Sequence, residues 1–186
     1  MEENVTTNSN QDLVKHAVRL GAIIGGLGIV ITLLFYAIDY TLLADWKFGV
    51  FMIVFSIGFI IYAGINYRTQ IGGFIPYGKA FLHGYITLAV GGIISIIFTM
   101  ILYNVIDTEL PQKLTDVSIE KTAEMMRSFG APEDKTEEAL DKMRVDMPAR
   151  FSVVGQLKSY LWALLIYAVI SSLTSLAVKK NKPEEM

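Results

Sequence analysis

Residues 80–106, AFLHGYITLAVGGIISIIFTMILYNVI, run for 27 positions without an Asp, Glu, Lys or Arg. A bilayer's hydrocarbon core is about 30 Å thick, and roughly 20 apolar residues in a helix cross it. This stretch predicts a transmembrane helix over Ala80 to Ile106, with His83 near its beginning. Three further stretches read the same way. The first is Ala17 to Ile38, with Arg19 at its very start; the second is Phe48 to Tyr67, uncharged. The last is Ser159 to Val178, uncharged and closed by Lys179, Lys180 and Lys182. In hydrocarbon the backbone must satisfy its own hydrogen bonds, which favours helices.

The totals agree. Of 186 residues, 53% are hydrophobic and 18% charged, against roughly 25% charged in ordinary globular domains. Four buried helices in a large soluble core would need enough amphipathic chain to surround them, and too little remains. A cleaved leader is a poor account of the first stretch. Glu2, Glu3 and Asp12 precede it instead of a basic run, and it is too long. Net charge of −2 leaves no basic field for nucleic acid. With no cysteine there are no disulfides, thiolate metal sites or cysteine nucleophile.

The expected organisation is an all-α, integral membrane four-helix bundle. A polar tail at 1–16 precedes three transmembrane helices within 17–106. An extramembrane helical hairpin occupies 107–150, a fourth transmembrane helix 151–178, and a basic-acidic tail 179–186. Tyr36, Tyr40, Trp46, Tyr103, Tyr160 and Trp162 would gather at one membrane face, and Tyr67, Tyr77 and Tyr85 near the other, the depth amphipathic rings prefer.

Four spans place both termini on one side. Orientation follows Lys and Arg in short loops. The terminal side carries Lys15, Arg19, Arg68, Lys79, Lys179, Lys180 and Lys182; the only short loop opposite, 39–47, carries Lys47 alone. Both termini are therefore expected in the cytoplasm. Raw totals, seven against nine, decide nothing, because eight of the nine lie in the long segment among eleven acids.

Within 107–150, one helix is predicted over Ser118 to Phe129, capped by Asp116 or Ser118 and ended by Gly130. A second runs over Glu133 to Met147, with Pro132 in its first turn and Pro148 ending it. Glu133 and Asp134 sit at the positive end of its dipole. Ile119, Ala123 and Met126 form one narrow apolar stripe; Leu140, Met143 and Met147 form the other. Glu138 and Lys142 make an i, i+4 pair. So small a pair of helices needs a surface to lie on. Each other, the headgroup layer and a partner protein are all open to it. The plainest expectation is that the two helices pack together over the bundle mouth.

Small residues supply the candidate packing positions. Gly21-x-x-x-Gly25 and Ala22-x-x-x-Gly26 mark the first span, and Ser171-x-x-x-Ser175 the fourth. No Asp, Glu, Lys or Arg lies in mid-span, where a proton-coupled transporter or cation pore would normally need one. Asn66, Arg68, Lys79 and His83 form a candidate polar cluster that could meet an anionic headgroup or small anion; the plainer expectation is that they are interfacial residues satisfying one another. His16, beside Lys15 and Arg19, reads as a basic flank. Gly72-Gly73 reads as a turn. There is no H-E-x-x-H, G-x-S-x-G or phosphate loop. No catalytic residue, cofactor or metal site is expected.

Taken in order, several stretches resemble the domain of unknown function 4199 family of small bacterial membrane proteins. Arg68 to Gln70, then Gly72-Gly73-Phe74-Ile75-Pro76-Tyr77-Gly78-Lys79-Ala80-Phe81, is similar to that family's arginine, glycine pair and aromatic-Gly-x-Ala-Phe run into a span. Tyr103-Asn104-Val105-Ile106-Asp107 resembles its aromatic-rich span end, with Thr108 where the family tends to proline. Met125 to Asp134 resembles its Met-rich helix, glycine turn and acidic helix start, and Lys179-Lys180-Asn181-Lys182-Pro183 its lysine-rich ending. The resemblance covers nearly the whole chain. It implies a four-span protein of the Gram-negative bacterial inner membrane and supplies no activity and no functional residues.

The leading expectation is a non-enzymatic scaffold or accessory subunit acting through helix packing and its extramembrane hairpin. The alternative is a small transporter or lipid-binding protein with a pocket near His83, Asn66 and Arg68. An intramembrane enzyme would need a nucleophile or acid–base pair assembled by folding. Expected partners are the lipid bilayer and a membrane-protein partner or second copy of the chain, with no nucleic acid.

Overall fold

A computed structural model describes residues 2–182, with side chains described from Asn10 onward. Residues 183–186 of the expected tail, including Pro183, lie outside the described residues. Six α-helices follow in order: α1 Glu2–Asp39, α2 Trp46–Gln70, α3 Tyr77–Ile101, α4 Leu110–Ser128, α5 Glu133–Phe151 and α6 Val153–Val178. A 3-10 turn, Tyr40–Ala44, joins α1 to α2, and α3 ends in a widened π turn, Leu102–Ile106. Among the described residues no strand forms; Ile75 and Lys180 make one isolated bridge.

Four helical stretches, Asn10–Ala44, Trp46–Gln70, Tyr77–Ile106 and Val153–Val178, are long and apolar enough to cross a membrane. Their outward side chains are themselves apolar: Val54, Leu161, Leu165 and Leu173 are all exposed. Such surface is costly in water and free of that cost in hydrocarbon.

The helices exceed their expected limits in several places, and three of these have a local physical reason. Residues 2–16, expected as a polar tail, are helical. The reason is a helical spacing of buried positions that begins before Ala17, at Leu13, and continues through Ala17, Gly21, Ile24 and Gly28. Next, α4 starts at Leu110 instead of Ser118. Asp107, not Asp116 or Ser118, serves its N-terminus: the Asp107 carboxylate accepts the N–H groups of Glu109 (3.2 Å) and Leu110 (3.0 Å). Pro111 falls where a missing N–H costs nothing. Lastly, α5 continues past Pro148 to Phe151. Pro148 removes one backbone bond, but Phe151 packs edge-on against Tyr103 with 5.4 Å between ring centroids. The break comes at Ser152, which is extended.

The chain divides into two compact units. Of the described residues, the first comprises 2–28, 52–95 and 162–182. Its buried cluster is Leu13, Tyr67, Ile75, Ala80 and Val178. Close helix approach depends on absent side chains here. A Cβ on Gly21 would lie 2.7 Å from Val90 Cβ, and one on Gly25 2.9 Å from Ile94 Cβ. A Cβ on Gly84 would lie 2.7 Å from Ser171 Oγ, and that hydroxyl donates to the Phe81 carbonyl at 2.7 Å. Ser175 is buried beside it and donates to the Ser171 carbonyl. Gly26 has no neighbour within 4 Å of such a Cβ, and Ala22 is exposed. Gly72 and Gly73, at φ +94° and +85°, make the tight turn before α3.

The second unit comprises residues 29–51 and 96–161. Leu102, Leu110 and Leu114 are buried among Tyr36, Tyr40, Leu43, Phe98, Tyr103 and Phe151. α4 packs on α5 and on the 3-10 turn. Ile119, Ala123, Met126, Leu140, Met143 and Met147 are half-buried, while Glu138, Asp141 and Lys142 are exposed. Gly130, at φ +71°, lies just past the end of α4.

Candidate functional site: a histidine pair in the first unit

His83 is fully buried. It sits on α3 between Ala80 and Thr87, which are buried too, so the helix presents this imidazole inward with its core face. Its Nε2 lies 2.9 Å from Nδ1 of His16 on α1. Tyr67 of α2 stacks on His83 at 5.1 Å and 15°, and its ring centroid lies 5.0 Å from that of His16. Three helices thus bring three rings into mutual contact. Gln70 donates its amide to Asn66 Oδ1 at 2.6 Å, and Asn66 is in turn a hydrogen-bonding neighbour of His16.

Donor accounting assigns the protons. His83 Nδ1 is buried and has no partner. An orphaned lone pair is more readily tolerated than an orphaned N–H, so the His83 proton belongs on Nε2, donated to His16 Nδ1. His16 then carries its own proton on Nε2, with Asn66, whose Oδ1 accepts from Gln70, as its neighbour. In this arrangement Gln70 Nε2 and His16 Nε2, 3.5 Å apart, are two donors at a non-bonding separation. One buried acceptor, His83 Nδ1, is left over.

Arg68 is not brought to this pair. The Arg68 guanidinium donates to the Val178 carbonyl at 2.7 Å, meeting one of the last carbonyls of α6, where a cation also complements the helix dipole. Lys79 is half-buried on the first turn of α3. His83 and Asn66 are linked, but only through His16. His16 was passed over because the expected span began one residue later, at Ala17. Extending the period of buried positions back to Leu13 would have placed it inside the span.

The matching family model covers residues 19–180 and is described as a protein of unknown function, DUF4199. This chain belongs to that family. No curated protein and no solved structure matches it. In this DUF4199 protein, no group of three or more His, Cys, Asp or Glu side chains comes together among the described residues. The histidine pair alone offers imidazole nitrogens to a metal.

Elsewhere in the first unit is a cavity of about 340 Å³ lined by Ile24, Met52, Phe55, Leu88, Tyr167 and Ile170 among others. Gly28, Gly91 and Gly92 help to leave it open. His83, Asn66 and Arg68 do not line it. In the second unit, Asp107 is the electrostatic centre. Burial alone would raise its pKa, but Tyr36 donating at 3.0 Å, Lys113 nearby and two backbone N–H groups together hold the carboxyl below its ordinary range.

Proposed function

We propose that this protein is a non-enzymatic scaffold or accessory subunit of the bacterial inner membrane. It acts through the packing of its spans and an extramembrane hairpin made of α4 and α5. The observation that carries the reading is the attachment of α4. Lys121 Nζ donates to the Thr41 carbonyl (3.0 Å) and pairs with Asp45 (3.2 Å) in the turn joining α1 to α2. A helix pair held in this way is a fixed platform, whereas one on a free tether would lose entropy on meeting a partner. Both termini are assigned to the cytoplasm by the short-loop count, which puts the hairpin on the opposite face. Cross-linking in native membranes, then purification in mild detergent, tests the role. A chain that stays strictly monomeric and alone under several conditions would count against it.

The cavity favours a second reading, a small lipid-binding protein or transporter. Its volume falls in the range of ligand sites, roughly 300–1,000 Å³. It lies away from the residues at which the sequence placed a pocket. Gly28→Leu should occupy it, since a Cβ there meets Ser95 Oγ at 3.4 Å and nothing closer. Lipid retention in native mass spectrometry that is unchanged by this substitution would dismiss the second reading.

A further inference from the structure

We infer that the C-terminal half of α4 lies in the headgroup layer of the membrane, with Met125 and Phe129 dipping beside Trp46 among bilayer phospholipids. The inference rests on the four spans crossing a bilayer and is independent of the scaffold reading.

The geometry begins at Asp107, where the third span ends and α4 is capped. From Leu110 to Lys121 is eleven residues, a rise of about 16 Å. Had α4 projected straight from the membrane, Lys121 would stand that far above the span ends. Instead its ammonium touches Thr41 and Asp45. Asp45 immediately precedes Trp46, the first residue of α2. Four-span topology sets residues 39–46 and Asp107 on the same membrane face, so α4 runs along that face.

Met125 and Phe129 follow Lys121 at i+4 and i+8, on the side of α4 that it turns toward the span ends. Phe129 is 83% exposed, Trp46 69% and Met125 49%. The three border a depression of about 660 Å³ whose rim carries Asp45, Lys47, Lys121 and Glu124. Apolar side chains left open at the depth of an interfacial tryptophan, within a rim of both charges, match the glycerol and upper acyl region of phospholipids. Interfacial helices bury their apolar faces there, and aromatic rings favour that depth. Water would leave all three rings and chains unsatisfied.

The chain has no cysteine, so single cysteines can carry a nitroxide spin label without a background. Phe129→Cys, Met125→Cys and, as an aqueous reference, Asp141→Cys are each labelled. The full chain is reconstituted into phosphatidylcholine–phosphatidylglycerol vesicles. Asp141 is exposed on α5 and pairs only with Arg144 among the ion pairs of the described residues. Dissolved oxygen should collide with labels at 125 and 129 several-fold more than an aqueous nickel chelate does, and the ratio should invert at 141. Labels at 125 and 129 that behave like 141 would overturn the inference. So would labels immobilised only when a membrane-protein partner is added, since that outcome assigns the surface to a protein. An emission measurement guards against a labelling artefact. Phe129→Trp, in a chain whose Trp46 and Trp162 are changed to Phe, should be quenched by phospholipids brominated near the headgroup and protected from acrylamide.

Discussion

His16 Nδ1 and His83 Nε2 meet at 2.9 Å across 67 residues of sequence. The contact is the sole hydrogen bond of the buried imidazole's side chain, since His83 Nδ1 has no partner. Removing His16 therefore orphans a second nitrogen. His16→Ala should destabilise the protein by about 1–3 kcal/mol. Changing both residues to Phe should cost less than the two single changes added together, because an apolar pair leaves nothing unsatisfied. Thermal unfolding in detergent, run as a double-mutant cycle, measures the coupling. Strict additivity would mean that the hydrogen bond contributes nothing.

The glycines of α1 should separate by face. Gly25→Leu forces side-chain atoms against Ile94 and the Gly91 carbonyl and should cost about 1–3 kcal/mol by overpacking. Gly26→Ala meets open space and should be neutral or stabilising by up to about 1 kcal/mol, the helical penalty of glycine being removed. The unfolding midpoints of the two variants should move in opposite directions or differ plainly in size.

Asp107 ends one span and starts α4, so its substitutions should read out the cap. Asp107→Ala removes the acceptor for two backbone N–H groups and should cost about 0.5–2 kcal/mol. Asp107→Asn keeps a carbonyl oxygen in place and should recover most of the loss. Hydrogen exchange in the first turn of α4 should rise in the alanine variant and stay near wild type in the asparagine variant.

Acid should loosen the attachment of α4. The Lys47 backbone N–H, and then Lys121, hold the Asp45 carboxyl below its ordinary range. A depressed carboxylate lends stability above its unfolded value, about 3.9, and loses it as pH falls through the folded value. Protection factors of the amides around Lys121, which divide out the pH dependence of intrinsic exchange, should therefore be flat above about pH 5 and fall below about pH 4. In Lys121→Met the α4 amides should already lose protection at neutral pH, with little change in global stability, as for other ion pairs open to solvent.

The spans were legible because a bilayer imposes a length and forbids charge, and both constraints are local: residues 80–106 could be read without knowing any neighbour. The glycine turns at Gly72-Gly73 and Gly130 were legible for a similar reason, since positive φ belongs to the residue itself. The limits of α4 and α5 were not. Burial of Leu110 and Leu114 starts α4 ahead of Ser118, and the Tyr103–Phe151 contact carries α5 past Pro148, which reads as a boundary in sequence.

By itself, then, the sequence determined what environment each segment must occupy, because hydropathy and charge are summed along the chain. Only the tertiary structure decided which polar side chains meet. His16 finds His83, Arg68 turns away to Val178, and Lys121 reaches Thr41 and Asp45. Those pairings depend on the rotation and register of one helix against another, and packing across the helices sets both, with no signature in the order of residues along any one of them.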